Sequence, residues 1–196
     1  MNNNQLPDTE SIKQYFDSII GFCKIHYPKI AYSLRAPATS SMLDDLERLI
    51  GVRLPMQFRQ LYQLANGQAE DCALFPDGFE LMPLENIRKT WLMLKNMYDS
   101  HYEMRVEGED DGPVRSIWWH PRWIPFAFQV SGDHYCLDMH PGYEGQEGQI
   151  IEFIHNDEPR PLLGDNLADF LRRYDEGIQS GKFLMHPEWG TFVANM

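Results

Sequence analysis

Three hydrophobic runs in the second half of the chain, at 123–130, 135–139 and 149–155, constrain its fold more than any other feature. Each is rich in aromatic and β-branched residues, the side chains that suit a pleated, half-buried surface. They are joined only by Ser131-Gly132-Asp133 and by the glycine-bearing stretch 142–148. Parallel pairing needs a crossover of a dozen or more residues, so connections this short force the runs to pair antiparallel. Pro125 has no N–H to give to a ladder, which places it on a sheet edge or at a bulge.

Helical periodicity surrounds this meander. Ile12, Phe16, Ile19, Ile20 and Cys23 recur at three- and four-residue steps, predicting an amphipathic helix over 10–26 that Pro28 stops. A second helix is predicted over 41–50, with capping-box spacing in Ser41-Met42-Leu43-Asp44 and a stop at Gly51. Pro55 suits the first turn of a third, lined by Phe58, Leu61, Tyr62 and Ala65 and ended by Asn66-Gly67. Short strands at 72–75 and 79–82 flank a Pro76-Asp77-Gly78 turn, and a fourth helix follows over 84–101. A last helix near 167–177 buries Leu167, Phe170, Leu171 and Tyr174 behind a cap at Asp165 or Asn166. Helices, a meander and a closing helix define an α+β domain, with helices packed on a twisted, largely antiparallel sheet. The expected organisation is a helical extension over 1–35, one domain over 36–181 and a tail over 182–196.

Charge narrows the partners. The 196 residues carry 29 acids against 17 lysines and arginines, a net charge of −12. Nucleic acids and anionic membranes are held by clustered cations, so neither is expected as a partner. A basic protein is the electrostatic complement. No lysine or arginine occurs between Arg59 and Arg88 or between Arg122 and Arg160. The stretch 106–112, expected to be an exposed mobile loop, adds Glu107, Glu109, Asp110 and Asp111. With Asp133, Asp138, Glu144 and Glu147 these acids are candidate contacts, and Trp118 and Trp119 are candidate aromatic anchors. The competing reading is a solvated acidic surface that only aids solubility.

Cys23, Cys72 and Cys136 are widely separated and form no C-x-x-C, so they are expected as small buried groups in a reducing compartment. Residues 1–5 carry no positive charge and no apolar run approaches 18 residues, which predicts a soluble, cytoplasmic protein without a membrane span. His134, Cys136, Asp138 and His140 alternate, and a strand would put them on one face, with His155 and Asp157 on a later strand. Two histidines and a carboxylate are a ligand set for a divalent ion, so a metal-dependent hydrolase using His134, Asp138, His140 and His155 is one alternative. Alternating polar residues, however, are what any half-exposed strand displays, and neither H-E-x-x-H nor G-x-S-x-G occurs. The expectation is therefore no catalytic residue, no metal and no cofactor.

Three passages carry a wider pattern. They are Leu54-Pro55-x-x-Phe58-x-x-Leu61-Tyr62 ending in Asn66-Gly67; Trp119-x-x-x-Trp123-Ile124-Pro125-Phe126; and Gly132-Asp133 leading to Leu137-Asp138. The last continues through Pro141-Gly142 and Gly148-Gln149-Ile150-Ile151 to His155 and Asp157. Over about 36–181 this ensemble resembles the SUKH superfamily, the Smi–Knr type of immunity and regulatory domain. The resemblance implies a single α+β domain without catalysis or cofactor. Most proteins similar to this are bacterial immunity proteins that bind and neutralise a toxin, often a nuclease. Fungal relatives regulate cell-wall synthesis and signalling, usually with long disordered flanks. The expectation drawn from the compact chain is an immunity protein that occludes a basic cognate toxin; the alternative is an intracellular regulatory scaffold.

Overall fold

The computed structural model describes residues 9–69, 72–106, 108, 112–157, 160–186, 188 and 190–195, with side chains from residue 12 onward. Helices α1 (Thr9–His26), α2 (Pro28–Tyr32), α3 (Ser40–Ile50) and α4 (Met56–Leu64) come first. Strand β1 (Glu80–Leu81) and helix α5 (Leu84–Ser100) follow. Strands β2 (Trp123–Phe128), β3 (His134–Asp138), β4 (Gln149–Phe153) and β5 (Leu162–Gly164) then lead to α6 (Leu167–Gln179). A hairpin of β6 (Phe183–Met185) and β7 (Phe192–Ala194) closes the described chain.

The architecture is α+β. Strands β1 to β5 form one sheet in chain order with every neighbouring pair antiparallel, and β6 and β7 form a second, two-stranded sheet. Pro125 sits on an internal strand rather than an edge, and the register between β2 and β3 shifts between Pro125 and Ala127. The proline's missing donor is thus absorbed by a bulge. The extra residue, Phe126, sends its ring among Phe58, Phe75 and Phe170.

Cross-strand partners share a face. Leu137 lies opposite Ile124 and Ile150, and Tyr135 lies opposite Ala127 and Glu152. This face meets the helices, with Tyr135 stacked on Phe79 and edge-on to Phe170 of α6. The other face carries His134, Cys136 and Asp138, opposite Phe153, Ile151 and Gln149. It is covered by the segment 112–122, which reaches from Pro113 at one end of β3 to Trp118 against Phe153 at the other. Helix α5 braces that cover: the Trp91 indole donates to the Pro121 carbonyl, and Tyr98 lies edge-on to Trp119.

Several local expectations change. The cap of α3 is Thr39 rather than Ser41, its hydroxyl accepting from the Met42 N–H, while Gly51 closes the helix at φ 69° as foreseen. Of the two short strands, only 80–81 pairs. In 72–75 the backbone donors are taken elsewhere, Leu74 N–H by the buried Gln68 side chain and Phe75 N–H by the Phe79 carbonyl. For α6 the cap is Asn166, which accepts from the Asp169 N–H. Helix α1 buries Ile12, Phe16, Ile19 and Cys23 in the common core, packed on α4 and α6. The terminal hairpin joins it there, Phe192 being fully buried against Tyr27 and Tyr174.

Candidate interaction site

Of the acids expected to form one face, the described ones, Asp133, Asp138, Glu144 and Glu147, fall at the two ends of β3. Five residues at about 3.4 Å each put those ends roughly 14 Å apart. At the far end Asp138 is fully buried, so it presents nothing to a partner and leaves the set of contact residues. Its Oδ1 accepts the His140 N–H at 2.8 Å and its Oδ2 accepts the Gln149 amide at 2.8 Å. Burial pushes its carboxyl up to about 6, against the pull of the His140 N–H, the Gln149 amide and the Trp123 indole. Gln149 also donates to the Pro113 carbonyl at 2.7 Å and accepts the Gln146 N–H at 3.1 Å. The loop 139–148 is tied down further by Gly142 N–H to Pro113 and Gly148 N–H to the Asp138 carbonyl.

That anchored loop displays Glu144 and Glu147, both exposed, and Glu147 stands 3.5 Å from Arg122. Between glycines at its tip is Tyr143, 90% exposed. Sequence reasoning missed this residue, although an aromatic side chain inside Gly142-Tyr143-Glu144-Gly145 has no core to enter. A rigid loop carrying an exposed tyrosine is a ready contact, since little ordering entropy remains to be lost and tyrosine is enriched among binding anchors.

At the near end Asp133 Oδ1 accepts the His155 N–H at 2.9 Å and lies 2.8 Å from His155 Nδ1, while Oδ2 accepts from Ser131 at 2.8 Å. Burial raises the carboxyl, but the His155 N–H, the His155 ring and the Ser131 hydroxyl outweigh it and hold it below the usual range. Trp118 is half-buried here, edge-on to Phe153, with its indole donating to the His155 carbonyl at 3.0 Å. Trp119 is fully buried: it is core, and is withdrawn as an anchor. Glu107, Glu109, Asp110 and Asp111 lie outside the described residues.

The histidines do not converge. His134 is buried between the rings of Phe128 and Phe153 and is pushed down to about 4 by burial, which keeps it neutral. His140 stacks on His120 at 4.1 Å, His155 is engaged by Asp133, and Asp138 is held by the loop. Among the described residues no group of three or more His, Cys, Asp or Glu side chains is placed to hold a metal ion. Among them, too, no helix is long and apolar enough to cross a membrane.

With this geometry in place, comparison with known proteins decides the lineage. A model of the SMI1/KNR4 family (SUKH-1) matches residues 37–173. The chain belongs to the SMI1/KNR4 family. It is similar to the cell wall biosynthesis/cell cycle regulator smi1 of Schizosaccharomyces pombe, 27% identical over 82% of this chain and 34% of that protein. It is similar also to the glucan synthesis regulatory protein of Neurospora crassa, 22% identical over 91% of this chain and 40% of the relative. The cell wall assembly regulator SMI1 of Saccharomyces cerevisiae is 22% identical over 94% of this chain and 45% of its own length. The chain thus spans a third to under a half of these curated relatives. They are named as regulators, not as enzymes or immunity proteins, so the family comparison favours the regulatory alternative over toxin neutralisation.

Proposed function

We propose that this chain is a non-catalytic regulatory module that acts by binding another protein, in the control of cell-wall assembly. The observation that carries the reading is the similarity to fungal cell-wall regulators over 82% to 94% of the chain. The pinned loop 139–148, with Tyr143 at its tip and Glu144 and Glu147 beside it, supports a binding role and supplies one contact surface. The acidic balance favours a partner with basic groups.

The test is a graft. This chain, placed where it matches within the Schizosaccharomyces pombe regulator, should restore growth under cell-wall stress to cells lacking that protein. A stably expressed graft that supports no more growth than the deletion overturns the reading. In the same cells Tyr143→Ala should weaken the rescue without lowering the amount of protein.

A further inference from the structure

A second feature lies on the helix-facing side of the sheet, away from the pinned loop. Between β5, α6 and the β6–β7 hairpin is a cleft of about 310 Å³. Ligand pockets start near 300 Å³, so its size suits one or two side chains rather than a large cofactor. Phe170, Tyr174 and Phe183 supply aromatic walls, and Asp77 and Glu152 bring carboxylates to it. Lys182 and Phe183 lie beyond residue 173, where the family match ends, so part of this wall is added by the hairpin.

Three polar groups of the cleft lack hydrogen-bond partners among the described residues. Tyr135 is 95% buried and lines the cleft, and its hydroxyl has no hydrogen-bond partner among the described residues. Tyr135 and Glu152 are direct cross-strand neighbours. Neither the Asp77 nor the Glu152 carboxylate is held by a hydrogen bond or ion pair among the described residues. Burial raises both, and repulsion from Asp133 and Asp77 adds to the rise at Glu152. Of the cations in the wall, Arg173 pairs with Asp169 at 2.7 Å and Lys182 lies over the Phe183 ring, and among the described residues neither forms an ion pair with Asp77 or Glu152. Asp77 is itself held in a left-handed conformation, φ 58°, in a turn whose Asp77–Gly78 peptide accepts from the Gln129 amide and donates to the Thr191 hydroxyl.

We propose that this cleft receives a lysine or arginine side chain of the partner protein, its charge met by Asp77 and Glu152, its N–H groups by the Tyr135 hydroxyl, and its methylene stem by the aromatic walls. The proposal rests on the reading of the chain as a protein-binding module. A long basic side chain suits such a site because its stem is apolar while its head seeks carboxylates and aromatic faces. Burial disfavours both carboxylates and repulsion adds to this at Glu152, so an arriving cation relieves them where a neutral side chain does not.

The test uses the full chain and small probes. Nα-acetyl-lysine methylamide, its arginine counterpart and the neutral norleucine analogue are titrated into ¹⁵N-labelled protein by NMR. The basic probes should shift the amides of Asp77, Gly78, Tyr135 and Glu152, and bind about tenfold or more tightly than norleucine, as a hydrogen bond to a charged group predicts. Equal binding of basic and neutral probes, or shifts confined to other regions, overturns the proposal without any variant. The Asp77→Asn/Glu152→Gln double variant should lose that preference and keep its melting temperature or gain, since asparagine tolerates the left-handed backbone and repulsion is removed. A folded double variant that retains the preference overturns the proposal as well. The graft separates the two levels: a doubly substituted graft that rescues growth fully removes the cleft from function and leaves the regulatory reading standing. Failure of the unsubstituted graft overturns that reading, while the probe titration still judges the cleft.

Discussion

Asp138 and Asp133 bracket β3, the first as its last residue and the second just before it. Asp138 is sealed from solvent and raised to about 6, whereas the Asp133 side chain keeps 18% of its exposure and is held below the ordinary carboxylate range. Burial pushes both up and three donors pull each of them down; the two differ in how deep they lie. Asp133 keeps contact with water, so its backbone N–H, imidazole and hydroxyl partners win, while in the dry site of Asp138 burial outweighs the His140 N–H, the Gln149 amide and the Trp123 indole. The far end of the strand is therefore framework for a displayed loop, and the near end is a polar clasp open to water. A carboxylate in a motif is not by that fact part of an acidic surface.

The sharpest way to break this contrast is to remove Asp138. Asp138→Ala leaves the Gln149 amide and the His140 N–H without their acceptor in a buried site, and should cost about 3 kcal/mol in urea denaturation at pH 5. A loss below about 1 kcal/mol would mean that the loop does not depend on it.

Acid titration should separate the two residues by sign. A folded-state value of about 6 lies above the ordinary 3.8, so the folded protein holds the Asp138 proton more tightly than the unfolded chain does. Its contribution is complete below pH 4 and is lost as pH rises towards 6, by about 2 to 3 kcal/mol. Asp133, held low, contributes above the ordinary value and loses that contribution as pH falls below 4. Asp138→Asn should flatten the first slope only, and Asp133→Asn the second only. Identical profiles for the two variants would contradict the assignment.

Gly145 sharpens the same point from the backbone. A Cβ there would collide with the Pro113 carbonyl oxygen, so the loop and the covering segment must part to accept alanine. Gly145→Ala should cost about 2 kcal/mol and weaken protection of the Gly142 amide in hydrogen exchange. At the near end Asp133→Ala should cost only about 1 kcal/mol, because water replaces much of what its partners lose.

The meander was legible because connection length alone dictates antiparallel pairing, and Pro125 at a bulge follows from its missing N–H. Helices with long apolar stripes were legible for the same kind of reason. The segment 72–75 was not, because its donors are taken by Gln68, a residue that looks like surface and is buried. The terminal hairpin was missed since three-residue strands leave too little alternation to read, and Phe192 finds its partners on α1's flank and α6. At the site, charge pattern identified acids but not their burial. Asp138 went inside because the segment 112–122 folds across its face of the sheet and buries its own Trp119 there, a long-range event with no local signal. The cleft was equally hidden, being assembled from a turn, two strands, a helix and the hairpin.

The smallest expected effect lies on the loop that Asp138 supports. Glu147 and Arg122 keep 59% and 43% of their side-chain exposure, and an ion pair this open is worth little in water. Glu147→Gln should shift stability by less than about 0.5 kcal/mol, with the same urea midpoint at low and high salt. If so, the framework at the base of the loop and the charges at its rim are separable, and Glu147 is available to a basic partner at no cost to the fold. A loss above about 1 kcal/mol would show that the pair braces the loop, and that charge as well as burial builds this end of the strand.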